Sequence, residues 1–138
     1  PILENGGKAI IVSDYTDIEM PNFNSVLENY GVQPENGIVL EGDEEHYIAQ
    51  NQYYLLPNIE SNEITSNLSS KSKYILTALS PSIKSLENVR DTIKIDSILT
   101  TSDSAYEKTD LANMETTERR FRRSIPIGGI HYRGIGRG

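Results

Sequence analysis

Apolar residues along this chain come in short bursts divided by polar turns. The longest unbroken aliphatic run is Ala9-Ile10-Ile11-Val12, inside a stretch, residues 8–14, that ends in Ser13 and Asp14. A run of that length with a polar exit predicts a buried strand of a parallel sheet. Ahead of it, Pro1-Ile2-Leu3-Glu4-Asn5-Gly6-Gly7 has the form of a last helical turn closed by glycine, as if the chain began inside a larger fold. Further on, Phe23, Val26, Leu27 and Tyr30 stand at i, i+3, i+4 and i+7, which predicts a helix over 23–30, capped by Asn22 and stopped by Gly31. Gly37-Ile38-Val39-Leu40 predicts a second strand, and the acidic stretch 41–46 opens a less regular segment that runs through Asn58. A short capped helix over 61–68 and a third strand over 73–77 come next. Residues 82–86 and 93–100 follow, the latter alternating Ile93 and Ile95 before Ile98. Strands and helices alternating across short turns predict an α/β fold built on a mostly parallel sheet.

With 138 residues the chain has room for one domain, and a core of that size needs no metal or disulfide staple. The absence of cysteine excludes disulfides, thiolate metal sites and a cysteine nucleophile. No stretch approaches the ~20 apolar residues of a membrane span, and the first residues show neither a methionine nor the basic start of a signal peptide.

Charge divides the chain in two. All 20 acidic residues fall at or before Glu118, against seven of the 13 basic ones, and the remaining six arginines follow with no acid among them. Residues 1–118 are therefore read as the α/β body, truncated at its N-terminal side, and 119–138 as a basic Gly/Arg tail, foreign in origin or disordered. Arg119, Arg120, Arg122 and Arg123 around Phe121 have the composition of a nucleic-acid contact. The acidic body would repel phosphate, so nucleic acid is not the expected partner.

In open α/β sheets, ligands gather beyond the carboxyl ends of the strands. Ser13 and Asp14, then Asp43 and His46 in the acidic stretch, residues 78–80, and Thr101 and Ser102 would share such a rim. Hydroxyls and carboxylates together suit a sugar or peptide, although strand ends carry turn residues for structural reasons alone. Asp43, Glu44, Glu45 and His46 offer oxygen donors of the kind calcium and magnesium take. Their spacing is not that of an EF-hand, and a solvated acidic loop explains them, so no metal or other cofactor is expected. Serine hydrolysis needs a base beside the serine; the chain holds only His46 and His131, and no Gly-x-Ser-x-Gly elbow occurs. Gly6-Gly7 precedes its strand, where a phosphate-binding glycine cluster follows one.

Three stretches, taken in order, carry a family resemblance. The first runs from Asn5-Gly6-Gly7-Lys8-Ala9-Ile10-Ile11-Val12 to Met20-Pro21-Asn22-Phe23-Asn24-Ser25-Val26-Leu27-Glu28-Asn29-Tyr30-Gly31-Val32. The second is Leu55-Leu56-Pro57-Asn58-Ile59 with Asn62-Glu63-Ile64-Thr65-Ser66-Asn67-Leu68. The third is Ile98-Leu99-Thr100-Thr101-Ser102-Asp103-Ser104-Ala105-Tyr106. Together, across residues 5–106, they resemble the soluble domain of GldG-like auxiliary proteins of bacterial ABC transport systems, associated with gliding motility and with export. The resemblance implies a partial flavodoxin-like or glutamine-amidotransferase-like three-layer sandwich. It also implies a place on the extracytoplasmic face of the cell membrane, beside an ABC permease and ATPase and in contact with an envelope component or cargo. Amidotransferase relatives use a cysteine nucleophile that this chain lacks, so kinship of fold brings no activity. Asn62 stands where those proteins often carry histidine.

The expectation is therefore a non-catalytic binding or scaffolding domain, with an exposed sheet edge through which two copies could pair. Two alternatives stand beside it: a hydrolase-like enzyme using Ser13, Asp14 and His46, and a small protein that binds nucleic acid through its basic tail.

Overall fold

The computed structural model describes residues 9–12, 14–69, 73–87, 90–91, 93–109, 111, 118–120, 126–127 and 130–134. The first helix, α1 (Pro21–Asn29), carries proline in its opening turn, where a missing amide hydrogen goes unnoticed and φ is already set. Asn22, the expected cap, lies inside this helix, and Met20 occupies the cap position without a side-chain bond. Leu27 is its buried residue. The helix stops at Gly31, whose φ of 80° is open to glycine at little cost.

Short strands follow: β1 (Val32–Pro34) and β2 (Ile38–Leu40), then a 3-10 turn over Glu44–His46, then β3 (Tyr47–Ile48), β4 (Asn51–Leu55) and β5 (Asn58–Ile59). The four-residue helix α2 (Ser66–Ser69) separates these from β6 (Thr77–Ala78), β7 (Ile83–Ser85), β8 (Ile93–Ser97), β9 (Leu99–Thr100) and β10 (Tyr106–Lys108). Two more strands, β11 (Glu118–Arg120) and β12 (Ile130–Gly134), lie in the segment whose composition set it apart.

Every strand ladder is antiparallel: β1 with β7, β2 with β10 and β10 with β11, β3 with β4 and β4 with β6, β5 with β9, and β8 with β12. This corrects the expected three-layer α/β sandwich with a mostly parallel sheet. A parallel pair needs a crossover of a dozen or more residues, whereas the consecutive strands that pair, β3 with β4 and β10 with β11, are joined by only two and nine residues. The run 9–12, expected as a central strand, lies outside any strand, with Ile10 94% and Val12 90% exposed. Of the third predicted strand, 73–77, only Thr77 enters β6.

Further backbone bonds join the small ladders into two larger groups. Val39 N donates to Ser80 O at 2.9 Å, Glu41 N to Gln52 O at 3.1 Å and Leu79 N to Tyr53 O at 3.2 Å, so β2 lies against the β4–β6 pair as well as β10. In the second group Pro126 bridges Thr100 and accepts from Ile83 N at 3.0 Å, linking β9 to β7. Val39 and Leu55 from the first group meet Leu99 and Ile127 from the second, with Ala105, in one buried apolar cluster. Burying side chains of this size stabilises the fold by roughly 1.5–3 kcal/mol each.

The β3–β4 hairpin turns on Ala49 (φ 58°) and Gln50 (φ 53°). Two successive left-handed residues are what the two-residue turn matching the twist of a hairpin requires, and Asn-Gly is its preferred filling. Alanine and glutamine there pay a Cβ clash of about 1–2 kcal/mol each. Replacing them together, Ala49→Asn with Gln50→Gly, is expected to raise unfolding stability by about 1–2 kcal/mol in urea titrations.

Candidate functional site

Directly after β2, whose three residues are all buried, the chain carries an acid where a fourth apolar residue would fit. Glu41 is 1% exposed. Its Oε1 accepts from Gly42 N at 3.1 Å and, more weakly, from Asp43 N at 3.5 Å; its Oε2 accepts from Ser102 N at 3.0 Å. The Ser102 hydroxyl donates to Oε1 as well. One carboxylate thus gathers the amides of its own loop and fastens them to the loop after β9. Gly42 is part of the same contact: a Cβ there would stand 2.5 Å from Ser104 O.

Around this clamp the turn 44–46 and β5 bring further polar groups together. Asp43 caps the turn, its Oδ1 accepting from Glu45 N at 3.0 Å. His46 Nε2 lies 3.2 Å from Asn58 Oδ1, and Asn58 Nδ2 donates to Thr101 O at 3.3 Å. Because the Asn58 amide is turned toward Thr101, its oxygen faces the imidazole, and Nε2 must be the protonated nitrogen. The other ring nitrogen, Nδ1, is buried 3.3 Å from Asp43 Oδ2, at ion-pair distance but without hydrogen-bond alignment.

Four of the six rim residues expected from the sequence are thereby brought together: Asp43, His46, Thr101 and Ser102. Asp14 is exposed and bonds the neighbouring Tyr15 N at 2.8 Å, while Ser13 lies outside the described residues. One member, Asn58, escaped the sequence reading and had no signal of its own. Glu41 was read with the acidic stretch 41–46 that follows the second strand, as part of the rim, and its burial sets it apart from the rest of that stretch.

The Ser102 hydroxyl is committed to Glu41 and accepts from Ser104 N at 3.0 Å, so the arrangement ties loops together instead of presenting a serine to the histidine. Among the described residues no group of three or more acids and histidines is arranged to hold a metal ion. A second buried acid repeats the theme: Glu107 in β10, 0% exposed, accepts from Ser82 Oγ at 2.7 Å, and Gly37 makes room for it, since a Cβ there would fall 2.5 Å from Glu107 Cγ. Beside the clamp an open groove of about 530 Å3 runs between Glu60–Glu63 and Lys94–Ser97, with Thr100 bonded to Glu60 across its end at 2.6 Å.

Hydrogen bonds to a charged group contribute about 1.5–3 kcal/mol each. Ser102→Ala is expected to lower unfolding stability by roughly 1–3 kcal/mol, because the buried carboxylate loses one donor and keeps the rest. Gly42→Ala should lower it by about 2 kcal/mol or more, since the atom it meets is backbone and has nowhere to rotate. Chemical denaturation of the two variants checks both values, and equal stability of either with the parent chain would remove the clamp from this account.

Comparison of the chain with protein-family models, with curated proteins and with solved structures returned no match.

Proposed function

We propose that this chain is a non-catalytic binding or scaffolding domain of a GldG-like accessory protein, working on the extracytoplasmic face of the cell membrane beside an ABC permease and its ATPase. One observation carries the reading. Two of the stretches that bear the family resemblance, 55–68 and 98–106, lie forty residues apart in sequence yet pair directly. Asn58 stands opposite Thr100 and Ile59 opposite Leu99. Glu60 N donates to Ile98 O at 2.9 Å, and Asn58 reaches Thr101. The motif residues thus form one local unit that includes Thr101 and Ser102 of the rim. The proposal rests on that motif set and not on the fold class the resemblance implied.

The chemistry of the rim supports a non-catalytic role. Glu41, Ser102 and Asn58 spend their side-chain polar atoms on one another, on His46 Nε2 and on backbone, which stiffens a surface for recognition. No helix among the described residues is long and apolar enough to cross a membrane, so membrane attachment would come from other segments of the parent protein, with cargo or an envelope component as the ligand of the exposed face.

The test is purification of the tagged parent protein from detergent-solubilised membranes of its host. Recovery of an ATP-binding cassette ATPase and a multi-span permease with it, and cleavage of this domain by protease added outside the inner membrane, are the expected results. A protein found in the soluble cytosolic fraction, or one recovered from membranes without either subunit, would overturn the proposal. His46→Ala is expected to leave complex recovery within about twofold of the parent, since a partly exposed rim contact is worth less than ~1 kcal/mol.

A further inference from the structure

Residues 126–127 and 130–134 run antiparallel along residues 93–100. Pro126 bridges Thr100, Ile127 N donates to Leu99 O at 3.1 Å, and β12 then pairs with β8 along its whole length, from Ile130 opposite Ser97 to Gly134 opposite Ile93. The two parts of this run differ in anchorage. Ile127 is 0% exposed and belongs to the apolar core, whereas β12 forms a two-stranded sheet with β8 alone. Unseating β12 would leave the core residue in place and expose five residues of strand edge, a template for another chain.

That edge is complementary to itself. β8 reads Ile93-Lys94-Ile95-Asp96-Ser97. Laid antiparallel on a second copy with Ile95 opposite Ile95, it puts Lys94 of each copy opposite Asp96 of the other. The two charges already lie on one face, Nζ to Oδ1 3.6 Å apart, with side chains 65% and 36% exposed. A ring of four alternating charges results. Unlike charges directly opposite one another strengthen a ladder.

We propose that the β8 edge is a self-association surface whose partner is a second copy of this chain, joined β8 to β8 about a two-fold axis, and that β12 covers this edge in the monomer. A two-fold axis gives both copies the same contacts and closes the assembly at two.

The experiment uses the full chain. Tyr132→Pro places a residue without an amide hydrogen, and with fixed φ, in the middle of β12, and leaves Ile127 untouched. Analytical ultracentrifugation should find the parent chain monomeric and the Tyr132→Pro chain dimeric. In that background Lys94→Asp or Asp96→Lys alone sets like charges opposite twice per dimer and should weaken association by about tenfold or more. Both changes together restore the pairing and should restore the dimer. Hydrogen exchange at Val39 and Leu55 checks that each core is intact. A Tyr132→Pro chain that stays monomeric overturns the proposal, and so does a dimer indifferent to the charge reversals. Should that variant lose its core, Arg133→Pro, farther along β12 from Ile127, replaces it with the same two outcomes.

Discussion

A buried carboxylate fastened by donors from two distant loops is the interaction on which the rest of this structure depends. Glu41 ends β2, the most enclosed strand described, and its oxygens take an amide from its own loop and an amide and hydroxyl from Ser102, sixty-one positions away. An ionised group of this kind is tolerated away from water only when its lone pairs are filled. The demand runs both ways: the loops must approach closely to fill them, and Gly42 permits the approach by having no Cβ to strike Ser104 O. Once the loops are pinned, Asp43, His46, Asn58 and Thr101 fall within bonding distance of one another. Glu107 and Ser82, with Gly37 beside them, apply the same device to the other side of β2.

Such internal clamps suit a fold made of very short strands. Ladders of two or three residues contribute few backbone bonds each, and no described sheet has more than three strands. The apolar cluster is small, drawing one or two residues from each group. Polar side chains that bridge loops supply the registration that long ladders would otherwise impose. The strain at Ala49, Gln50 and Leu79 (φ 52°) fits this picture. Leu79 N bonds Tyr53 O while the next residue, Ser80, accepts from Val39 N, so a left-handed kink lets one short segment serve two neighbours.

How much of this was legible in the sequence depended on whether the signal was local. The 3.6-residue spacing of Phe23, Val26, Leu27 and Tyr30, with Gly31 after it, marked α1 to within two residues, whereas of the helix expected over 61–68 only residues from Ser66 onward are helical, in α2. Ile38-Val39-Leu40 and the alternation at 93–97 marked strands that exist. Their partners were not legible. An apolar run says that a segment wants cover, and connection length decides which neighbour supplies it. Connections of two residues between β3 and β4 and nine between β10 and β11 leave no room for the crossover that a βαβ reading assumes. The strongest aliphatic run, 9–12, misled for the same reason, since no strand pairs with it. The rim was partly legible: Asp43, His46, Thr101 and Ser102 lie near one another, while the contacts that give Glu41 and Asn58 their place, to Ser102 and Thr101, come from residues more than forty positions away.

The segment after Glu118 shows why composition is a poor guide to membership in a fold. Six arginines and five glycines without apolar periodicity set residues 119–138 apart from the acidic body. Yet Pro126 joins β9 to β7, and Ile127 fills the centre of the core. One buried isoleucine outweighs the surrounding polarity, because the burial of a single large aliphatic side chain is worth more than the small and screened interactions of exposed charges. The backbone does the remaining work. β11 and β12 add to β10 and β8 through amide and carbonyl groups that every residue carries, and a strand recruited that way needs no hydrophobic signature of its own.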